Sequence, residues 1–208
     1  MESSWLTYAK RIQSIADTGM TFATDDFDKE RYQELADIGN KMLADLGNVP
    51  IERIENLLGD LGNGYATPKV DVRGAVLKNN KILLVKEKTD GLWALPGGYA
   101  GSGLSASQNI KKEISEEAQI DVAVTSLYAI KHKAQHDYDP DIRDFYKLFF
   151  LCGQVDKSII ATPGMEVSAA QFFALDALPP QSTGRVNLDD IETAFAARAG
   201  KLAKVLFD

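Results

Sequence analysis

Three glutamates stand at 113, 116 and 117 in the stretch "KEISEE". Glu113 to Glu116 is an i,i+3 step and Glu113 to Glu117 an i,i+4 step, so on a helix the three carboxylates share one face. Like charges at that spacing repel. Such a cluster is either a face screened by water or a place for something positive. The loop before it, "LPGGYAGSG", has five glycines or prolines in nine residues. A loop of that kind brings bare backbone close to a ligand or to another strand. Carboxylates beside an exposed backbone carbonyl form a hard oxygen site suited to Mg2+ or Mn2+. The repulsion among the side chains then becomes affinity for the ion.

Several elements must position this cluster. Ser105 followed by Gln108 has capping-box spacing, which predicts a helix from about Ala106. Ile110, Ile114 and Ala118 form its apolar stripe, and the glutamates lie off that stripe. Around it the pattern reads as strands: "VDVRGAVL" and "KILLVKEK", joined by a tight turn at Asn79–Asn80, then "VAVTSLYAIKHK", "FYKLFFLCGQV" and "AAQFFAL". A closing helix over "NLDDIETAFAARAGK" is capped near Asn187 or Asp189. Residues 1 to about 58 read as three helices. Gly19 is the expected stop of the first, and Asp26 or Asp28 the expected cap of the second. Their stripes include Trp5, Ile12, Tyr32, Leu35, Ile38, Ile54 and Leu57. These helices are too few to bury a core alone. They must pack on the rest of the chain or on a second copy, and a homodimer is expected. The glycine-rich segment at 59–69 reads as a linker, giving domains at 1–62 and 63–208.

The chain of 208 residues is 45% hydrophobic and 25% charged, as expected of a folded soluble protein. Its net charge of −7 argues against a stable complex with long nucleic acid, although not against a nucleotide-sized ligand. Apolar runs such as "LFFLC" are too short to cross a bilayer. The first residues lack the basic start and apolar run of a signal peptide. The lone Cys152 lies in an apolar stretch and reads as a buried small hydrophobe. A cytoplasmic location is expected. His132 and His136 are spaced i,i+4 but lack the further partners a zinc site needs. They read as a strand end entering a loop, where Tyr138 is a candidate to stack a base. Trp93 reads as core packing.

Residues 98–120 resemble the signature of the Nudix hydrolases, G-x5-E-x7-R-E-U-x-E-E-x-G-U, where U is a bulky aliphatic. Gly98, Glu113, Ile114, Glu116, Glu117 and Ile120 match it. Lys112 stands in place of arginine, Leu104 in place of the first glutamate and Gln119 in place of the last glycine. The preceding "WALPGG" is also typical, and the likeness extends over about 70–200. The N-terminal stretch resembles the helical extension of a bacterial subgroup that acts on nucleoside diphosphates linked to another group, CDP-choline pyrophosphatases among them.

The resemblance implies an α/β fold: an α/β/α sandwich with a mixed sheet, preceded by a small all-helical domain. It implies metal-dependent hydrolysis of a diphosphate bond in a nucleoside diphosphate derivative, with Mg2+ or Mn2+ as cofactor. Glu113, Glu116, Glu117 and the Gly98 carbonyl would hold the ion, and one glutamate of the cluster would take a proton from water. Glu166 lies where many members bring a further ligand or base, with a plain loop carboxylate as its alternative. Arg73 and Lys86 are candidates for phosphate oxygens. Three other activities compete: ADP-ribose or nucleotide-sugar hydrolysis, nucleotide binding without catalysis, and trimming of RNA ends. The departures bear on loop order. In the family the arginine and the first glutamate help hold loop and helix together. Lys112 keeps the charge without the planar fork, and Leu104 removes its anionic partner.

Overall fold

The computed structural model describes residues 2–58 and 65–208, with side chains left aside over 56–58. The expected boundary at 62/63 and Leu57's place in its stripe lie outside what is described. The chain divides into two compact units. One comprises residues 1–68 with Pro140–Asp144, and the other Lys69–Asp139 with Phe145–Asp208.

The first unit is helical. Helix α1 (Ser4–Phe22) is capped by the Ser3 side chain, which accepts from the Leu6 N–H. It does not stop at Gly19. That glycine lets Tyr32 approach instead, since a Cβ there would stand 2.3 Å from the ring. Helix α2 (Asp26–Gly47) is capped by Asp25, one residue before the expected position, because it is Asp25 that accepts from the Asp28 N–H. Helix α3 (Ile51–Leu58) follows. Leu6, Ala9, Leu43, Ala44 and Ile54 form the buried centre, joined by Ile142 from the 140–144 segment. Lys10 bridges Glu2 and Asp144. The stripe expected to be covered is only partly so: Trp5 is 66% exposed, and Leu35 and Ile38 are also exposed.

The second unit is built on a mixed sheet. Its strands are β1 (Lys69–Lys78), β2 (Lys81–Glu87), β3 (Trp93–Ala94), β4 (Gly97–Tyr99), β5 (Val122–His132), β6 (Phe145–Gln154), β7 (Val167–Ala174) and β8 (Leu206–Phe207). The main order is β3-β2-β1-β6-β5-β8, with β4 on β1 and β7 on β2. Both turn asparagines between β1 and β2 have positive φ, as a two-residue hairpin requires. Helix α4 (Ala106–Ala118) covers one face and α5 (Leu188–Arg198) the other. Strand periodicity divides the core accordingly. Val72, Val76, Leu83 and Val85 meet Ile110, Ile114 and Ala118 of α4. Ala75, Ile82 and Leu84 meet Ile191 and Ala194 of α5. This is an α/β/α sandwich. Cys152 is buried, and Trp93 packs on Phe173 within the α5-side core. Among the described residues no helix is long and apolar enough to cross a membrane.

Strand β1 serves two neighbours on one edge. Its last residues pair with β2, while Asp71, Val72 and Arg73 pair with Tyr99, Gly98 and Gly97 of β4. Between them the Gly74 N–H donates to the Pro96 carbonyl. The glycine loop is thus sewn into the sheet. Gly97 has φ +142°, and a Cβ there would stand 2.0 Å from the Val72 carbonyl oxygen. Gly97→Ala must open the β1–β4 pairing. Urea denaturation should show a loss of about 2 kcal/mol or more, the upper part of single-substitution effects.

Candidate active site

Helix α4 presents the glutamates, and its start is fixed by side chains. Ser105 and Gln108 form both bonds of the capping box. The buried Asn109 holds the loop ahead of it. Its Nδ2 donates to the carbonyls of Gly101, Leu104 and Ser105, and its Oδ1 accepts from the Gly101 N–H at 2.8 Å. Asn109 therefore orders the loop that Leu104 cannot hold by charge. Lys112 finds its anion one turn along the same helix, with Nζ 2.7 Å from a Glu116 oxygen.

The three glutamates sit in different surroundings. Glu117 is 6% exposed and accepts the Gly97 N–H on Oε2 at 2.9 Å. Burial pushes its carboxyl up to about 7. Glu87 and Glu113 add to the rise, while the Gly97 N–H and Arg73 oppose it. Glu113 is half-buried beside Gly98, where a Cβ would stand 2.8 Å from its Oε2. Its carboxyl is also raised, by burial and by Glu116 and Glu166, against Lys112 and Arg73. Glu116 is exposed on Lys112.

Glu166 stands just before β7, exposed, and close enough to raise both Glu113 and Glu87. Its neighbour Val167 pairs with Glu87 just past a bulge in the β2–β7 ladder. Glu87 escaped the sequence reading because it ends a strand like any surface charge. It is buried, raised chiefly by burial, and held by Arg185 at 3.2 Å. The same arginine reaches Asp90, Ser182 and Thr89.

Two expected contacts, Arg73 and Tyr138, are not presented to a ligand. Arg73 is 4% exposed. Its Nε and Nη2 donate to Asp71 and its Nη1 to the Leu95 carbonyl, so it is a strut behind the glycine loop. Asp71 also accepts from Lys147 at 2.6 Å. Burial works against the Asp71 carboxylate, but the two cations outweigh it and hold its pKa low. Burial brings Lys147 down to about 8 despite Asp71. Tyr138 is likewise buried, with its hydroxyl donating to Asp190 and Lys147 over its ring. A base cannot stack on a ring enclosed in this way. Lys86 shares a face with Ile82 and Leu84 by strand alternation, the face turned away from α4. His136 contacts Asp208, which also accepts from the His132 N–H.

Among the described residues no three His, Cys, Asp or Glu side chains converge as a ready metal cage. The donor chemistry nevertheless fits a hard divalent cation. Glu113 and Glu117 border the Gly97–Gly98 backbone, and each is pushed toward its protonated form, a stress that a cation would relieve. Magnesium commonly takes one or two carboxylates and completes its shell with waters and substrate phosphates.

The site thus combines a buried carboxyl near neutrality, a close-packed glycine backbone and a glutamate-rich helix. The comparisons with known proteins identify the family. The Nudix domain profile matches residues 68–192, and the profile of a UDP-X-like, N-terminal oligomerisation domain matches 3–58. The chain is 40% identical over 209 residues to a putative ADP-ribose pyrophosphatase of Bacillus subtilis, covering 100% of this chain and 99% of that one. Its fold matches the crystal structure of a UDP-X diphosphatase at TM-score 0.64 and 32% identity, covering 98% of each chain. It also matches an ADP-ribose pyrophosphatase from Streptococcus suis at TM-score 0.61 and 36% identity, over 68% of this chain and 100% of that one. The chain belongs to the Nudix hydrolase family, as an enzyme of pyrophosphatase type carrying the UDP-X-like N-terminal domain.

The raised Glu117 carboxyl makes stability pH-dependent. An acid with a higher pKa folded than unfolded favours the fold most below its ordinary value of 4.5, and that preference is lost as pH rises through about 7. Glu117→Gln keeps an acceptor for the Gly97 N–H and removes the charge. In chelator-treated protein it should be more stable than the parent by about 2–3 kcal/mol at pH 8. The gain should vanish near pH 4, and denaturant melts at the two pH values check both.

Proposed function

We propose that this protein hydrolyses the diphosphate bond of a nucleoside diphosphate linked to a second group, with ADP-ribose the first substrate to test. The observation that carries the reading is the pair Glu113 and Glu117 set against the Gly97–Gly98 backbone. ADP-ribose is favoured over CDP-choline by the Bacillus subtilis and Streptococcus suis relatives, whose names carry that activity. A binding module without catalysis has no need of a buried carboxyl tuned near neutrality. Trimming of RNA ends is disfavoured by the net charge of −7.

In this reading Glu113, Glu117 and the Gly98 carbonyl hold Mg2+ or Mn2+, with Glu116 joining if it leaves Lys112. The ion, when bound, neutralises diphosphate charge and lowers the pKa of a bound water. Glu117 is fixed by the Gly97 N–H, which orients its carboxylate. Glu166, near enough to raise the Glu113 carboxyl, is the candidate to accept the proton of the attacking water. Arg73 keeps the loop backbone in place. Arg185, gripped by Glu87 and Asp90, is a cation at the rim of the same acidic group.

The N-terminal unit reads as the contact with a second copy, which suits its likeness to an oligomerisation domain. Helix α1 carries two apolar seams. Leu6, Ala9, Gln13 and Ala16 turn inward. Trp5, Tyr8, Ile12 and Ile15 follow one another at steps of three, four and three, the spacing of a helix–helix seam, and Phe22 continues it two turns on. Trp5, Tyr8, Ile15 and Phe22 are exposed. A two-fold pairing would cover this seam on both copies at once.

Two measurements test these readings. With ADP-ribose, UDP-glucose and CDP-choline offered in Mg2+ or Mn2+, Glu117→Gln should lower kcat at least about a hundredfold, as expected when a group of the reaction is removed. Turnover near that of the parent would remove the catalytic reading of α4. Light scattering of the full chain should give twice 22.8 kDa. Ile15→Glu should return the monomer mass while leaving the fold of the catalytic unit intact.

A further inference from the structure

Gln119 ends α4 in the left-handed region, at φ 53° and ψ 36°. Glycine adopts that conformation freely and asparagine readily, whereas a longer side chain is disfavoured there. If this position needed only to end the helix, glutamine would be a poor choice. Its side chain, however, is fully used. Nε2 donates to the Pro163 carbonyl at 3.1 Å, and Oε1 accepts from the Thr162 hydroxyl at 3.1 Å. Both ends of one amide thus grip two adjacent residues 43 and 44 positions further along the chain.

That segment leads directly to Glu166. Backbone bonds run beside the side-chain ones: the Thr162 N–H donates to the Ala118 carbonyl and the Gly164 N–H to the Glu117 carbonyl at 3.0 Å. Gly164 is packed so tightly that a Cβ would stand 1.7 Å from the Glu116 carbonyl oxygen. Lys88 then holds the Met165 carbonyl. Glu166 is therefore two residues beyond a point of contact with the helix that carries Glu113 and Glu117. Strand β7 fixes Glu166 from its C-terminal side through the Val167–Glu87 pair, and residues 162–164 fix it from the side of the helix.

We infer that Gln119 is a positioning residue for Glu166, tethering the 162–164 segment to the C-terminal end of the glutamate helix. The inference rests on the reading of Glu166 as a group of the reaction. It gives the glutamine a purpose that its backbone conformation does not. The left-handed residue is kept at the expense of local stability because its side chain sets the place of a functional carboxylate.

The test is Gln119→Gly, which relieves the backbone and removes both side-chain bonds. The melting temperature should stay level or rise. With the substrate found above, kcat should fall about fivefold, the scale of one or two exposed hydrogen bonds, at unchanged KM. In a Glu166→Gln background the same substitution should have no further effect on kcat. Activity would then fall without any loss of stability, which a purely structural glutamine does not produce. Overturning results are distinct. An unchanged kcat in Gln119→Gly, with Glu166→Gln impaired, removes the tether and leaves Glu166 in its role. A fall in kcat that persists undiminished in the Glu166→Gln background also removes it. Parent-like turnover in Glu166→Gln removes the reading of Glu166 itself, and the tether with it.

Discussion

The hydrogen bond from the Gly97 N–H to Glu117 joins the two halves of the site. One partner is loop backbone fixed in register against β1, and the other is a buried carboxylate near the end of α4. Neither is free to move without the other. The loop is held from behind by Arg73 on the Leu95 carbonyl, from beside by the Gly74 N–H on Pro96, and from the front by this bond. The helix is held by Ile110 and Ile114 against the sheet, each fully buried and worth about 1.5–3 kcal/mol. Apolar packing thus secures the helix, and the helix secures a charge in a place where charge is unfavourable.

That charge is not isolated. Behind it runs a line of buried ionic groups: Arg73 on Asp71, Asp71 on Lys147, then the Tyr138 ring beneath Lys147 and Asp190 beyond it. Asp190 also takes Lys131 and closes the capping box of α5. Breaking such a pair leaves an uncompensated ion in the core and is strongly destabilising. The arrangement surrounds one carboxylate with two cations at Asp71, and so places net positive charge behind the acidic cluster. The same field restrains the rise of the Glu113 and Glu117 carboxyls, both of which are opposed by Arg73.

Much of this was legible in the sequence. The capping box at Ser105 and Gln108, the Ile110–Ile114–Ala118 stripe and the paired asparagines of the β1–β2 turn are local signals, and local signals survive folding. The acidic helix face was legible for the same reason. The buried network was not. "VDVR" alternates as a strand with one wet face does, but β1 lies inside a sandwich and is covered by helices on both sides. Asp71 and Arg73 had to find partners, and Lys147 comes from a strand 76 residues away. Tyr138 and Arg73 looked like ligand contacts because sequence shows polarity without showing enclosure. Asn109 carried a faint signal, one turn past a helix cap and beside a glycine loop, but its role depends on three carbonyls brought together only by the folded loop. The helix limits differed for a related reason: Gly19 reads as a stop, yet Tyr32 fills the space it leaves.

The short segment Pro140–Asp144 belongs with the N-terminal helices although it interrupts the catalytic sheet between β5 and β6. Ile142 lies in the helical core and Asp144 meets Lys10. The chain therefore passes between the units at 68/69, again at 139/140 and back at 144/145. The helical unit is not a module that recombination could lift off in one piece. Exchanging it between relatives would require a matching five-residue graft within the other unit. A transplanted helical unit would keep its core complete only if Ile142 and the residues around it travelled with it.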